Sequence, residues 1–242
     1  MTAGAGAANR SAPWEALKKA LQGRSDPWTD LGLTLPVFLG YHVGVAFLPE
    51  RNAADFMSSL LADVAGHSIL AYLALTIAIG GGLVGTLVLM GRGHRLSWQR
   101  FGLVLVEGAA YAVALRLVAS YVVGTLRLGA GDAGPFAGLV MSLGAGFYEE
   151  VAFRVVLFGL GATLLTRVVK KRPLVWTIAW ATVTSMVFSA WHYWGPFGDP
   201  FGFGSFVFRT VCGLGFVAVY RFRGFAPAVW SHALYDVWVL VC

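Results

Sequence analysis

Seven apolar runs, each close to the length of a bilayer-spanning helix and nearly free of charge, cover about residues 31–48, 69–91, 103–126, 134–166, 174–194, 203–220 and 225–242. A hydrocarbon core about 30 Å thick needs about 20 apolar residues per helix. In lipid every backbone N–H and C=O must be satisfied within the segment, so such runs fold as helices. Composition agrees: of 242 residues, 57% are hydrophobic and 12% charged, about half the charged fraction of a soluble domain. The expected fold class is all-α, a polytopic transmembrane helix bundle of about seven spans. That length leaves no room for a soluble catalytic domain, so any chemistry must come from residues in the membrane or in short connections.

The first 30 residues contain an Ala/Gly-rich stretch and then WEALKKALQGR, in which Trp14, Leu17 and Leu21 share a face beside Lys18 and Lys19. This pattern predicts a short interfacial helix in a cytoplasmic N-terminal segment (1–30), followed by one transmembrane domain (31–242). No apolar h-region with a small-residue cleavage site precedes the first span, which is therefore expected to remain in the mature protein. Cys212 and Cys242 have neither metal-ligand spacing nor a disulfide framework. No internal repeat is evident.

The net charge of +6 does not point to nucleic acid, because the basic residues cluster between apolar runs, where they set membrane orientation. Arg10, Lys18, Lys19 and Arg24, then Arg92, Arg95 and Arg100, then Arg167, Lys170, Lys171 and Arg172, then Arg221 and Arg223 occupy alternate connections. The other connections hold only Arg51 and Arg127 among Glu50, Asp55, Asp63, Asp132 and Asp199. The expected arrangement is N-terminus cytoplasmic, C-terminus outside, in a cell membrane. The compact Ala/Gly-rich chain suggests a bacterial inner membrane.

The fourth run is anomalous, because Glu149, Glu150 and Arg154 interrupt it in EEVAFR. A charge near mid-bilayer is unfavourable by about 2.5–3.5 kcal/mol, so three together should be paired and face the bundle interior. At 100° per residue Glu150 and Arg154 share a face and can pair, whereas Glu149 points about 100° from Glu150 and is left over. A buried ion-pair network that only fixes packing gives no role to that second carboxylate. The fifth run ends in FSAWH, with Phe188 and His192 four apart, and the last contains HALYD, with His232 and Asp236 four apart. His192 alone would read as an interfacial residue. Together the three helices can build a polar, water-containing chamber. Glu107 and Arg209 are expected to snorkel, Arg116 to face the chamber, and His42, His67 and His94 to belong to the connections of the first two spans. Gly81 and Gly85 have small-xxx-small spacing, which suits helix packing.

EEVAFR, FSAWH and HALYD, in that order on successive helices, resemble the EExxxR, FxxxH and HxxxN/D motifs of the CPBP intramembrane proteases. That family, also called Abi, comprises CAAX prenyl endopeptidases and bacterial bacteriocin-processing or self-immunity proteins. The resemblance covers residues 149–236 and implies glutamate-dependent peptide hydrolysis without a cofactor or metal. Glu149 and His192 would activate a water, His232 and Asp236 would stabilise the oxyanion, and Glu150, Arg154 and Phe188 would support them. An ionised Asp236 repels an oxyanion, so it would either act there in another form or orient His232. Counting 1.5 Å per residue puts Glu149 and His192 in the outer half of the membrane and His232 nearer the inner side, so helices must tilt, shift or break. The implied partners are the lipid bilayer and a peptide or protein substrate, free or lipid-anchored. Two readings compete: a zinc-dependent membrane protease, although no HExxH helix is present, and a non-catalytic carrier or scaffold.

Overall fold

The computed structural model describes residues 27–48, 51–90, 98–124, 134–195 and 198–241. They fold into eight helices: α1 (Pro27–Val45), α2 (Phe56–Val64), α3 (Ile69–Met90), α4 (Trp98–Val123), α5 (residues 134–168), α6 (Pro173–Trp191), α7 (Phe203–Arg223) and α8 (Phe225–Leu240). There is no strand among the described residues. Helices α3 to α7 are long and apolar enough to cross a membrane. The flanking α1 and α8 correspond to the first and last expected spans. α1 is made more polar by Asp30 and His42 and carries Pro36, and α8 has only 16 residues. The interfacial helix expected around Trp14 to Leu21, and His94, lie outside the described residues.

Apolar side chains dominate the outer surface. Leu70, Ile77, Val88, Val106, Leu117, Leu164 and Ile178 are all more than half exposed, as lipid-facing positions must be. Inside, one cluster joins α1, α2 and α3 to α5 through Phe38, Tyr41, Leu61, Tyr72 and Val140. A second joins α4 and α7 to α8 through Leu115, Phe208, Phe216 and Tyr235. The short α8 is the hub, packed against α1, α4, α5 and α7. Glycine lets it sit so close. A Cβ on Gly108 of α4 would stand 3.2 Å from the Ser231 backbone, and one on Gly138 of α5 would stand 2.9 Å from the Leu240 carbonyl. Gly81 and Gly85, by contrast, have nothing among the described residues within 4 Å of an added Cβ, so their spacing serves no contact with them.

Helix α8 begins one residue after α7 ends, and Gly224 makes that turn at φ 112°. A helix N-terminus leaves backbone N–H groups without partners. The buried Asp30 of α1 reaches across, and its Oδ2 accepts from the Phe225 N–H at 2.6 Å. Trp230 adds a second tie, donating Nε1–H to the Leu33 carbonyl at 2.9 Å. Asp30→Ala would strand a buried donor and is expected to destabilise the fold by about 1–3 kcal/mol, with Asp30→Asn, which keeps an acceptor, recovering most of it. Thermal melts of the detergent-solubilised variants check this.

Two features depart from the sequence expectation. The connection after the first span contains α2, nine residues long, whose N-terminus is capped by Asp55 accepting from the Ser58 N–H at 2.9 Å. The fourth span is not uniformly α-helical: between Gly134–Gly144 and Gly161–Val168, residues Ala145–Leu160 form a π-helix. An i→i+5 ladder is wider and rises less per residue than an α-helix, and such segments concentrate at functional sites.

Candidate active site

Glu149, Glu150 and Arg154 all lie in the π-helical part of α5. His192 is the residue that closes the C-terminus of α6, and His232 and Asp236 lie in the middle and second half of α8. The structure brings these six residues, with Phe188, to one place. The depth mismatch expected from a count of uniform α-helical rise does not keep them apart, since Nε2 of both His192 and His232 lies 4.0 Å from Glu149 Oε2.

Glu150 is fully buried and holds two partners. Its Oε1 lies 3.1 Å from Arg154 Nη1 and accepts from His232 Nδ1 at 2.7 Å. Arg154 is 1% exposed and is sandwiched by aromatic faces, its guanidinium carbon 4.2 Å from the Phe188 ring centre and 5.0 Å from that of Phe216. The positive charge is thus held by a carboxylate and two ring quadrupoles. The Phe216 ring also stacks on His232, centres 4.4 Å apart. With Nδ1 committed to Glu150 and one face covered, the imidazole can turn neither in plane nor out of it.

Glu149 is 7% exposed and shares only His232 with its neighbour. Its Oε1 accepts from Asn52 Nδ2 at 2.9 Å. Its Oε2 has no hydrogen-bond partner among the described residues and lies 4.0 Å from Nε2 of both His192 and His232. His192 is oriented by its other nitrogen, Nδ1–H donating to the Phe188 carbonyl at 2.9 Å, and its side chain is 27% exposed. Asp236 Oδ2 lies 3.5 Å from His232 Nε2, on the ring edge opposite Glu150. Among the described residues no group of three or more His, Cys, Asp or Glu is arranged to hold a metal ion.

Helices α5 and α8 meet at Gly146, where an added Cβ would stand 2.9 Å from both the Ala233 nitrogen and the Val229 carbonyl oxygen. Those atoms are backbone and cannot turn aside. Gly146→Ala is expected to wedge α8 away from α5, destabilising by about 1–3 kcal/mol and lowering peptidase activity more than stability through loss of the His232–Glu150 contact. Comparing melting temperature with turnover tests it.

Some of the polar residues outside the motifs depart from expectation. His42 is not in a connection: it is fully buried in α1, bonded to Tyr72 Oη at 2.9 Å and Tyr148 Oη at 2.6 Å. His67 does lie in the turn before α3, at φ 60°. Glu107 does not snorkel alone but pairs with Arg223 across α4 and α7 and accepts from Tyr111. Arg209 likewise pairs with Asp199 beside the Tyr193 ring, and Arg116 lies 6.0 Å from the Phe208 ring centre. Sequence reasoning missed Asn52, Tyr41 and Asp55 entirely. They lie in no periodic pattern, and Asn52 reaches its partner Glu149 from 97 residues away in the chain.

No match was found among curated proteins or solved structures. A family model described as "Type II CAAX prenyl endopeptidase Rce1-like" matches residues 132–238, the segment that runs through α5, α6, α7 and α8 and contains every motif residue above. Over that segment the chain, a multi-pass membrane protein, is similar to the Rce1-like type II CAAX prenyl endopeptidases, a family of intramembrane proteases.

Proposed function

We propose that this chain hydrolyses a peptide bond of a membrane-associated or secreted substrate with a water activated by Glu149 and His192, without a metal. The carrying observation is the position of Glu149 Oε2, 4.0 Å from Nε2 of both histidines. That separation is too long for a direct hydrogen bond and suits one bridging water. Glu149 takes a proton from that water as its oxygen attacks the scissile carbonyl carbon, and His192 aligns it. The developing oxyanion is met by Nε2–H of His232, whose protonated ring is held by Glu150 at Nδ1. The proton on Glu149 then passes to the leaving amine. Acid–base assistance of this kind contributes about 10²–10⁴-fold and electrostatic stabilisation of the oxyanion a comparable factor.

Of the two roles open to Asp236, orientation of the His232 ring falls to Glu150, which contacts Nδ1. Asp236 faces the Nε2 edge and is assigned to the oxyanion side of the site. The substrate is a peptide or protein, free or lipid-anchored. The family name speaks of prenylated CAAX tails, which belong in the first substrate panel beside unmodified peptides and lipopeptides. The N-terminus is assigned to the cytoplasm from the basic connections, and the setting to a bacterial inner membrane.

The test is cleavage of that panel by detergent-purified protein, read by mass spectrometry as new peptide termini. Termini that persist in chelator and vanish in Glu149→Gln support the proposal. Activity lost to chelator and restored by zinc would favour a zinc protease, and a panel left intact by the wild type would favour a carrier or scaffold.

A further inference from the structure

We infer that Asn52, in the connection between α1 and α2 and outside the family-matched segment, is a positioning residue that locks the Glu149 carboxylate so that only Oε2 is left for the attacking water. The inference rests on the reading of Glu149 as the general base.

All four hydrogen-bonding functions of Asn52 are engaged. Its backbone N–H donates to Tyr41 Oη at 3.0 Å, and its carbonyl accepts from the Asp55 N–H at 2.9 Å. Its side-chain Oδ1 accepts from the Ala54 N–H at 2.9 Å, and its Nδ2 donates to Glu149 Oε1 at 2.9 Å. Reversing the amide would set a donor against the Ala54 N–H and an acceptor against a carboxylate, so the neighbours fix its direction. The turn itself is anchored: Tyr41 donates its hydroxyl to Asp55 Oδ2 at 2.7 Å, and Asp55 Oδ1 caps α2. Tyr41 is fully buried in α1. A chain of short bonds thus runs from the α1–α2 hairpin to one oxygen of Glu149.

The other groups facing that carboxylate cannot do this. His192 and His232 both stand at 4.0 Å, on the side of Oε2. Glu150 and Arg154 are turned to one another, and Asp236 lies beyond the His232 ring. Without Asn52 the carboxylate is free to rotate about its last torsion, and either oxygen can drift from the histidines. A misplacement of about 1 Å in such a site can reduce rate by about 10²-fold.

Asn52 also shapes the turn, and the two roles separate by substitution. Aspartate retains the shape of asparagine and an oxygen for the Ala54 N–H, but sets a carboxylate against Glu149 in place of a donor. The measurement is kcat and KM for the panel peptide that wild type cleaves fastest, with melting temperature recorded for each variant. Asn52→Ala is expected to lower kcat about 10- to 100-fold with KM within about twofold, and Asn52→Asp to lower kcat further still. The reverse order, Asn52→Asp close to wild type and Asn52→Ala impaired, would show that only the turn matters and overturn the inference. If Asn52→Asp does not fold, Asn52→Ser decides: it keeps an acceptor for the turn but cannot reach Glu149, so an Ala-like kcat supports the inference and a wild-type kcat overturns it. Glu149→Gln, run alongside, separates the two levels: if it cleaves normally, the base assignment itself fails, and if it is inactive while Asn52→Asp turns over normally, only the role of Asn52 fails.

Discussion

Arg154→Met is expected to destabilise the folded protein by about 3–5 kcal/mol, because it leaves Glu150 as an uncompensated charge in the most buried part of the bundle. Glu150 is 0% and Arg154 1% exposed, so neither can borrow water. Among the described residues the other side chain that can carry a positive charge in contact with Glu150 is His232, already bonded to the same oxygen. The guanidinium also fills the space between Phe188 and Phe216, and lysine, a compact ammonium without a planar face, would keep the charge but not the sandwich. Arg154→Lys should therefore fall between wild type and Arg154→Met. The double variant Arg154→Met/Glu150→Gln removes both charges and should recover more than half of the lost stability, since much of the loss comes from isolating one charge and not from deleting a favourable pair. Thermal melts in detergent decide it, and an Arg154→Met protein as stable as wild type would mean that the pair does not hold these helices together.

The fold was legible where lipid leaves a chain no choice. Long charge-free runs must become helices, and all seven runs did, within a few residues of the expected bounds. What escaped reading was geometry inside a run. Nothing in GFYEEVAFRVV separates a π-helical ladder from an α-helical one, because the apolar pattern is satisfied by either. Glycine spacing misled for a related reason: Gly81 and Gly85 have the expected interval but, among the described residues, nothing lies within 4 Å of a Cβ added to either, whereas Gly108 and Gly146 carry the close approaches to α8. Which face of a helix meets another is a tertiary fact. Helix α2 was invisible because nine residues in a connection between spans carry too little periodicity to stand out.

The site was legible as far as cost made it so. A charge inside an apolar run is expensive, so Glu149, Glu150, Arg154 and Asp236 announced themselves, and four-residue spacing tied Glu150 to Arg154 and His232 to Asp236. The inference that the two glutamates differ also held in form, for Glu150 is the paired one. Glu149 is not free, however, because Asn52 binds it from 97 residues away in the chain. An asparagine in a connection costs nothing and so gives no signal. The same holds for the hydroxyls of Tyr72 and Tyr148 that enclose His42: aromatic residues are ordinary in spans, and only their convergence makes a network.

Glu149→Gln is expected to lower kcat by about 10²–10⁴-fold, the range of a lost general base, while leaving the melting temperature unchanged or raised. The second half of that expectation separates it from Glu150→Gln, its isosteric neighbour. Glutamine at 149 keeps an oxygen for Asn52 Nδ2 and removes a largely buried charge whose Oε2 has no hydrogen-bond partner among the described residues, so relief of desolvation offsets what is lost. Glutamine at 150 instead isolates Arg154 and loosens His232, so stability and activity fall together. Adjacent residues of one helix should thus fail in opposite ways, one in chemistry with the fold intact and one in fold with chemistry following. His192→Ala should resemble Glu149→Gln in melting behaviour, since its side chain is 27% exposed, and should reduce kcat by less, because the carboxylate can still accept the water's proton. If both glutamate variants lose stability alike and neither affects turnover beyond its folded fraction, the carboxylates are a packing pair and the hydrolytic group lies elsewhere. If only Glu149→Gln separates turnover from stability, the division of labour between the two carboxylates follows directly from their contacts.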